Sequence, residues 1–371
     1  MLKLLSLFSG IGAFEKALEN IDEPFELINY CEIDKYANKA YSLIHNVDEN
    51  LNLGDITTID TSKLSNVNMI TYGFPCQDIS NAGKQAGFHD NNGNRTRSGL
   101  FFEALRIIED LQPKFAIAEN VKALTTKKFK AEFEIVLKSI EKAGYTSYWA
   151  LLNAKDYGVP QNRERVFIIS IRNDIEHGFD FPKPYPLKRR LIDVLETNVD
   201  IKYYLSQTAM DGLLLHRNKE SSKGNGFGFK GCRDPYGYSF AITTKEGQRE
   251  CSNYIDTSDP KVIQIGNCKP TRTRENPNQG RIYDINGISP TLNCCSGGNR
   301  QPYIFNEKSS IRRLTPKECF RLMGFDDSDV DILSDNGISN TQLYKMAGNS
   351  IVVDVLEEIF VELLNQYSGV I

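Results

Sequence analysis

The sequence predicts an α/β protein with an open, doubly wound parallel sheet and a second, smaller β-rich unit. Short apolar runs alternate with amphipathic helical patterns through the first half of the chain, as a parallel sheet requires. At 371 residues the chain exceeds the usual length of one domain. The alternation stops near residue 181, where Pro182, Pro184 and Pro186 precede the basic run 188–190.

The periodicity of the first half places each element. The predicted strands cover 2–7, 25–31, 67–72, 114–118, 147–153 and 165–171. The predicted helices cover 13–20, 35–44, 99–111, 129–143 and, near the end of the chain, 351–367. We therefore divide the chain into a first domain (1–185), a second domain with a hinge (186–342) and a terminal segment (343–371).

Composition excludes several classes of protein. The eight cysteines show no Cys-x-x-Cys spacing and only four histidines are present, so we expect free thiols, a cytoplasmic location and no metal site. The first apolar run has only the length of a strand, and no run of 18 apolar residues occurs. We therefore expect neither a secretory leader nor a membrane span.

Charge is distributed unevenly along the chain. Residues 1–60 carry 4 Lys and Arg against 11 Asp and Glu, whereas residues 261–321 carry 11 against 4. Screening confines the field of a charge to about 8 Å at physiological salt, so a local basic surface matters more than the net charge. The basic stretch could bind nucleic acid, or it could be an ordinary solvated face.

Reactive side chains follow or precede three predicted strands. Cys76 lies in Gly-Phe-Pro-Cys-Gln after the third strand, Glu119 follows the fourth, and Arg163 and Arg165 lead into the last. Ligands of open α/β sheets bind at the carboxyl edge of the strands. A thiol, a carboxyl and a guanidinium at that edge suit attack on a flat, electron-poor ring. Taken singly, each could be structural, as an inert buried thiol, a helix-start acid or a surface pair.

A glycine turn follows the first strand. Phe8, Gly10 and Gly12 lie between the strand and a helix, and Glu32 closes the second strand, a pattern that resembles a dinucleotide-binding fingerprint. However, Glu15 occupies the third glycine position, and a carboxylate at a helix N-terminus would repel a pyrophosphate. The pattern therefore weighs against an NAD oxidoreductase.

Six motifs together resemble the DNA (cytosine-5)-methyltransferase family and occur in that family's order. They are Phe8 to Gly12, Gly73 to Gln77, Glu119 to Val121, Gln161 to Arg165, Arg313 to Pro316, and Ala347 to Ser350. The unmatched stretch, about 190 to 310, is where this family has its target-recognition domain. The resemblance implies a Rossmann-like, S-adenosylmethionine-dependent methyltransferase domain, with the last helix returning to it.

The resemblance implies S-adenosylmethionine as the cofactor. This molecule carries a sulfonium cation and no phosphate, which suits an acidic N-terminal region. Glu32 would hold the ribose hydroxyls and Asp55 the adenine amine, while Ile33 and Ile56 would flank the adenine ring. The remaining expected contacts are Phe8, Gly10, Gly12, Pro75, Leu100, Asn349 and Ser350.

The resemblance also implies covalent catalysis by Cys76, whose thiolate would add to carbon 6 of cytosine and make carbon 5 nucleophilic. A free thiol has a pKa of about 8.5 and needs nearby positive charge. Arg163 and Arg165 are candidates for that charge, and Arg165 matches the family's catalytic arginine. Glu119 would bond to ring N3 and the 4-amino group.

A cytosine within a duplex must be flipped out before its ring can react. Residues 78–98 are predicted to form a lid, and the expected DNA contacts are Gln77, Ser80, Lys84, Arg95 and Arg97. Two similar segments begin at Asp234 and Asp284. We expect two β-hairpin units that present Arg249 and Arg300 to DNA, although a chance repeat of turn chemistry is equally open.

The resemblance thus implies a sequence-specific methyltransferase of double-stranded DNA, expected to be a monomer and to have a functional, not physical, link to a restriction endonuclease. Two alternatives remain: methylation of tRNA, or a catalytically inactive DNA-binding protein of the same fold. The long middle section favours DNA, and intact Cys76, Glu119 and Arg165 weigh against inactivity. An amino-methyltransferase is disfavoured because the chain lacks an Asp/Asn-Pro-Pro-Tyr/Phe motif.

Overall fold

The computed structural model describes residues 1–75, 88, 96–176, 178–206, 208, 262, 264–268, 280–292, 301–305 and 311–370. A six-stranded sheet lies at its centre, in the order β2-β1-β3-β4-β7-β5. The strands are β1 (Leu2–Leu7), β2 (Phe25–Cys31), β3 (Met69–Tyr72), β4 (Phe115–Val121), β5 (Tyr145–Asn153) and β7 (Glu164–Arg172). The two strands that follow β1 in the chain lie on opposite sides of it, β2 on one side and β3 on the other. A ligand crevice is therefore expected at the carboxyl end of β1.

The sheet is mixed, so the expectation of a fully parallel sheet is wrong at one strand. β1 to β4 pair in parallel, but β7 runs antiparallel to both β4 and β5. Only residues 154–163 connect β5 to β7, which is too short for a crossover helix. The reversal has a functional consequence, because it brings the first residues of β7 to the edge where β3 and β4 end.

Helices cover both faces of the sheet, which confirms the doubly wound α/β prediction. Leu2 and Leu4 of β1 join one apolar core, and Leu5 and Leu7 join the other. Among the described residues the α-helices are α1 (Ala13–Asn20), α2 (Lys35–His45), α3 (Phe101–Leu111), α4 (Lys130–Lys142), α5 (Pro316–Arg321), α6 (Asp327–Asp335), α7 (Asn340–Asn349) and α8 (Val353–Tyr367).

The last helix, α8, packs on the first elements of the chain. Phe360 meets Phe14 of α1 with a ring-centroid distance of 6.4 Å, and Tyr367 meets Phe115 of β4 at 5.4 Å. Both ring pairs have edge-to-face geometry, which is favoured by the aromatic quadrupole. The C-terminal segment therefore belongs to the same core as β1 and β4.

A second sheet lies in the β-rich part of the chain. Its order is β12 (Ile311–Arg313), β11 (Tyr303–Phe305), β9 (Arg281–Tyr283) and β8 (Gln264–Asn267). Between β9 and β11, the short β10 (Ser289–Pro290) pairs in parallel with β6 (Gln161–Asn162), close to the start of β7. The prediction of a β-hairpin at 284–304 is therefore wrong in the described part, since β10 pairs with β6 whereas β11 pairs with β9 and β12. The similar segment at Asp234 lies outside the described residues.

Arg312, the residue before the Arg-Leu-Thr-Pro motif, joins β12 to α5 through a buried ion pair. Both guanidinium nitrogens Nη1 and Nη2 of Arg312 donate to the Glu318 carboxylate, at 2.8 and 2.7 Å. The same carboxylate accepts from the backbone N–H of Thr315, and the Thr315 hydroxyl accepts from the backbone N–H of Glu318. This capping box fixes the start of α5. None of the described helices is long and apolar enough to span a membrane.

Candidate active site

A cavity of about 490 Å³ opens at the carboxyl edge of the first four strands. Its walls come from residues that follow β1, β2 and β3, from the end of β4, and from α7. All predicted cofactor contacts except Gly12 line it, namely Phe8, Gly10, Glu32, Ile33, Asp55, Ile56, Pro75, Leu100, Asn349 and Ser350. Cofactor contacts that were predicted from six separate parts of the chain therefore line a single cavity.

The turn after β1 has an unusual backbone. Phe8, Gly10 and Gly12 all have positive φ, at 54°, 59° and 79°. Positive φ is rare for an aromatic residue, and such strain persists only where surrounding structure imposes it. Here the backbone N–H of Gly10 donates to Glu32 Oε2 at 2.9 Å, so the turn is held against the end of β2.

Glu32 links the turn to the start of α2. Its Oε1 atom accepts from the backbone N–H of Asp34 at 2.7 Å, while Oε2 accepts from Gly10. Burial raises the pKa of Glu32, although its backbone hydrogen bonds oppose that effect. A carboxylate oxygen has more than one acceptor site, so Glu32 can still receive hydrogen bonds from a ligand in the cavity.

The neighbouring wall combines an apolar surface with a second carboxylate. Ile33 is 75% exposed, which is unusual for a large aliphatic side chain, whereas Ile56 is buried. Asp55 caps a short 3₁₀ helix by accepting from the backbone N–H of Thr57 at 2.9 Å. A flat apolar ring beside Ile33 would cover a side chain that otherwise faces solvent.

Gly12 does not line the cavity, and its environment explains why glycine is needed there. It precedes α1 with a left-handed backbone, and a Cβ atom added to it would lie 2.0 Å from Nε2 of His45. His45 Nε2 lies 3.1 Å from the Ile11 carbonyl oxygen, and Nδ1 lies 2.7 Å from a Glu19 carboxylate oxygen. Burial alone would lower the pKa of His45, but Glu19 and nearby Glu15 raise it. Gly12 therefore permits close packing behind the turn.

Contrary to the expectation from the sequence, Glu15 does not face a ligand bound at the turn, so its charge does not count against a pyrophosphate there. Glu15 is buried in the first turn of α1 and is not among the residues that line the cavity. Its charge acts on the buried side chains of Tyr41 and His45 behind the turn. The carboxylates that do face a ligand are Glu32 and Asp55.

Glu119 and Arg165 meet inside the cavity. Arg165 Nε lies 2.9 Å from Glu119 Oε1, and both side chains are largely buried. Burial raises the pKa of Glu119, although the positive charges of Arg165 and Arg163 oppose that effect. A carboxyl group with a raised pKa can serve as a hydrogen-bond donor at a pH where an ordinary glutamate could not.

Arg163 lies within electrostatic reach of Glu119 but donates its hydrogen bonds elsewhere. Its Nη1 and Nη2 atoms donate to backbone carbonyl oxygens of Leu292, Gly348 and Ser350. The residue is 3% exposed. These contacts set Arg163 apart from Arg165, whereas the sequence offered both as candidates for the positive charge near Cys76 and matched Arg165 to the family's catalytic arginine.

The predicted nucleophile Cys76 lies outside the described residues, which end here at Pro75 on the cavity wall. Asn120 Nδ2 donates to the Phe74 carbonyl oxygen at 3.0 Å and so ties the end of β4 to this segment. The predicted DNA contacts Gln77, Ser80, Lys84, Arg95, Arg249 and Arg300 are also outside the described residues, as is the side chain of Arg97.

Sequence reasoning missed one wall of the cavity. Gln342, Lys345, Met346 and Asn349 line it together. Their spacing of i, i+3, i+4 and i+7 places them on one face of α7. Only Asn349 belongs to a motif recognised in the sequence; the helical spacing was a usable signal for the other three. Among the described residues, no group of three or more His, Cys, Asp or Glu could hold a metal ion.

Comparisons with known proteins show which family the chain belongs to. The chain matches the family model described as C-5 cytosine-specific DNA methylase over residues 2–365. The orphan methyltransferase M.SPRI of Bacillus phage SPR is 37% identical, with 99% of this chain and 98% of that protein covered. The type II methyltransferase M.HhaI of Haemophilus parahaemolyticus is 32% identical, with 96% and 93% covered. The crystal structure of S. pombe Dnmt2 superposes with a TM-score of 0.65, at 18% identity and with 99% of both chains covered, which shows a shared fold.

Proposed function

The chain belongs to the C-5 cytosine-specific DNA methylase family, and on this premise we propose that it methylates carbon 5 of a target cytosine in double-stranded DNA. The methyl donor would be S-adenosylmethionine. The observation that carries the proposal is the Glu119–Arg165 pair, which lies in the same cavity as Pro75, the residue before Cys76. A carboxyl and a guanidinium in the cavity to which the segment before the predicted nucleophile leads are what addition to a pyrimidine ring requires.

The cavity suits S-adenosylmethionine, which when bound supplies the methyl group. Glu32 and Asp55 offer acceptors for hydroxyl and amine donors, and their charge favours a cation over a phosphate. The exposed Ile33 offers an apolar surface for a purine. The strained turn at Phe8 and Gly10 brings the backbone close to the ligand space. Any other residue at position 10 would have to adopt a positive φ.

Cys76 would form the covalent bond to the substrate. Its thiolate adds to carbon 6, which moves electron density to carbon 5 and to the N3 side of the ring. Carbon 5 would then take the methyl group from the sulfonium sulfur, whose bond to that methyl breaks to leave a neutral thioether. Loss of the carbon 5 proton to water or a base returns an electron pair that expels the thiolate. Each bond formed to the enzyme is thus broken again within one turnover.

Glu119 would stabilise the charge that develops on the ring. In its neutral form, the carboxyl O–H donates to N3 while its carbonyl oxygen accepts from the 4-amino group. The raised pKa of Glu119 supports this role, because burial disfavours the charged form. Arg165, at 2.9 Å, holds the carboxyl group in place and supplies a positive charge near the reacting ring.

DNA recognition completes the proposal. The target base would be flipped out of the duplex, with the 78–98 segment as a lid and Arg249 and Arg300 as readers of bases or phosphates. The relatives M.SPRI and M.HhaI are named as an orphan and a type II methyltransferase. A solitary role and a role beside a restriction endonuclease are therefore both compatible with the proposed activity.

Bisulfite sequencing of a plasmid from a host that expresses the protein would test the function. We expect protection of cytosine in one sequence context, and its loss in Cys76→Ser. Cys268→Ser is a matched control, since Cys268 is a half-buried thiol in the β-rich part of the chain. In vitro, a duplex carrying 5-fluorocytosine should form a permanent adduct with the wild type in the presence of S-adenosylmethionine.

Modification of tRNA without modification of DNA would favour the RNA alternative. No modification of either nucleic acid, with DNA binding retained, would favour the inactive DNA-binding protein. Normal cytosine modification by Cys76→Ser would contradict the covalent mechanism while leaving the substrate assignment intact.

A further inference from the structure

Arg163 connects two segments that are far apart in sequence. Nη1 donates to the Leu292 carbonyl oxygen at 2.8 Å, and Nη2 donates to the carbonyl oxygens of Gly348 at 3.1 Å and Ser350 at 2.5 Å. A guanidinium carries only donors and keeps its charge. Because the side chain is buried, loss of either segment would remove acceptors from a buried charged group, which is unfavourable.

One of these segments belongs to the β-rich part of the chain. Residues 289–290 form β10 on β6, and the Thr291 hydroxyl donates to the Asn162 carbonyl oxygen at 2.6 Å. The Gln161 side chain accepts from the backbone N–H of Leu292 at 3.1 Å and donates to the Leu322 carbonyl oxygen at 2.7 Å. We call this set of contacts, between 289–292 and 161–163, the seam. In the sequence, the seam directly precedes 293–300, which contains the predicted DNA contact Arg300.

The other segment forms part of the cavity wall. Gly348 and Ser350 line the cavity, as does Arg163 itself. Two residues further on, Arg165 holds Glu119. One side chain thus bridges the start of the predicted DNA-reading stretch and the predicted cofactor site, by a fork of hydrogen bonds to both segments.

We propose that Arg163 is a positioning residue that couples DNA binding to cofactor binding. DNA that stabilises the seam would hold Arg163 in its closed arrangement, fix Gly348 and Ser350, and so tighten the cofactor site. By linkage, the cofactor tightens DNA binding by the same factor. This inference rests on the proposed function, and it gives Arg163 a role different from the thiol-activating cation expected from the sequence.

The test measures the dissociation constant of S-adenosylhomocysteine by calorimetry, with and without a duplex that contains the methylated site. For the wild type we expect the duplex to tighten binding about tenfold, within the usual range of coupling. For Arg163→Lys we expect less than about a twofold change, since a lysine ammonium is a point donor and cannot fork between two segments. A merely structural defect would weaken binding with and without DNA alike and leave the ratio unchanged.

Two further variants keep the test decisive. Arg172→Lys alters an arginine of β7 that pairs with Asp174 at the surface, and should keep the wild-type ratio. Thr291→Val removes one hydrogen bond of the seam with little change in shape, and should give an intermediate ratio even if Arg163→Lys fails to fold. A wild-type ratio in Thr291→Val or Arg163→Lys, or a ratio of one in the wild type, would overturn the inference. Absence of any DNA methylation would instead count against the proposed function.

Discussion

Lys345 Nζ contacts the Asp34 carboxylate at the rim of the cavity and thereby joins α7 to the start of α2. Asp34 also caps α2, because its Oδ1 atom accepts from the backbone N–H of Tyr36 at 2.9 Å. Burial alone would raise the pKa of Asp34, but Lys345 and the backbone hydrogen bonds lower it. The ion pair is therefore present near neutral pH and is lost only as pH falls through this lowered pKa.

We predict that Lys345→Met speeds the release of S-adenosylhomocysteine and raises its dissociation constant about two- to fivefold. This corresponds to roughly 0.5–1 kcal/mol, the upper range for a partly exposed ion pair. The difference from wild type should shrink at high salt. Stopped-flow fluorescence at two salt concentrations would measure it. Lys39→Met is the control, since Lys39 of α2 donates to the Asn336 carbonyl oxygen and does not line the cavity; equal effects of the two changes would contradict a role at the rim.

Glu119→Gln should lower kcat by about 10²-fold or more, because the amide can donate an N–H hydrogen bond to ring N3 but cannot transfer a proton to it. The raised pKa of Glu119 also sets a pH dependence. Because the proposed mechanism uses the neutral form, activity should fall as pH rises through that pKa, and this limb should vanish in Glu119→Gln. Single-turnover rates across pH would show it. Glu164→Gln, which alters an exposed pair with Lys122, should keep both the rate and the profile.

Gly12→Ala should destabilise the protein more than Gly10→Ala. Both positions have positive φ, which costs an L-residue about 1–2 kcal/mol. At Gly10 an added Cβ meets no atom within 4 Å, whereas at Gly12 it would collide with His45. Urea unfolding would measure the two changes. Equal losses of stability would show that backbone strain alone accounts for both glycines.

Arg312→Met should reduce the free energy of unfolding by about 3–5 kcal/mol, because it leaves the Glu318 carboxylate buried without its cation. The side chains are 4% and 0% exposed, so water cannot replace the lost partner. Arg321→Met is the matched control from the same helix region. Its pair with Asp327 is partly exposed, so the expected loss is below about 1 kcal/mol. Comparable losses in the two variants would contradict the importance of burial here.

Much of the first half of the fold could be predicted because its central strands β1, β3 and β4 are largely buried on both faces. β1 and the more exposed β2 begin and end as predicted, whereas β4 begins one residue after the start of the predicted run and extends to Val121. Continuous apolar runs mark such strands clearly. The direction of β7 could not be read in this way, since an apolar run looks the same in either direction. The length of the connection from residue 154 to 163 was the available signal.

Residues of the candidate site could be predicted where the backbone geometry requires a particular residue type. Their contacts could not be predicted where the sequence allows a side chain to face either the cavity or the interior. The turn at Phe8 and Gly10 and the carboxylate of Glu32 were found from the strand-turn-helix pattern. Glu15 follows the same turn, yet it points into the space behind it. Arg163 and Arg165 have alternate positions in one motif, but only the tertiary contacts distinguish their hydrogen-bond partners.

The antiparallel course of β7 makes one short peptide stretch intolerant of length changes. In the ladder, Glu119 lies opposite Phe167 and Val121 opposite Arg165, so the carboxyl and the guanidinium are diagonal neighbours on one face. An in-frame codon inserted between Arg165 and Phe167 would rotate the guanidinium to the reverse face of the sheet. Such a mutant could fold with every proposed catalytic side chain present in its sequence and still be enzymatically inactive. An extra codon in the 154–158 turn would instead leave the pairing of Glu119 and Arg165 intact.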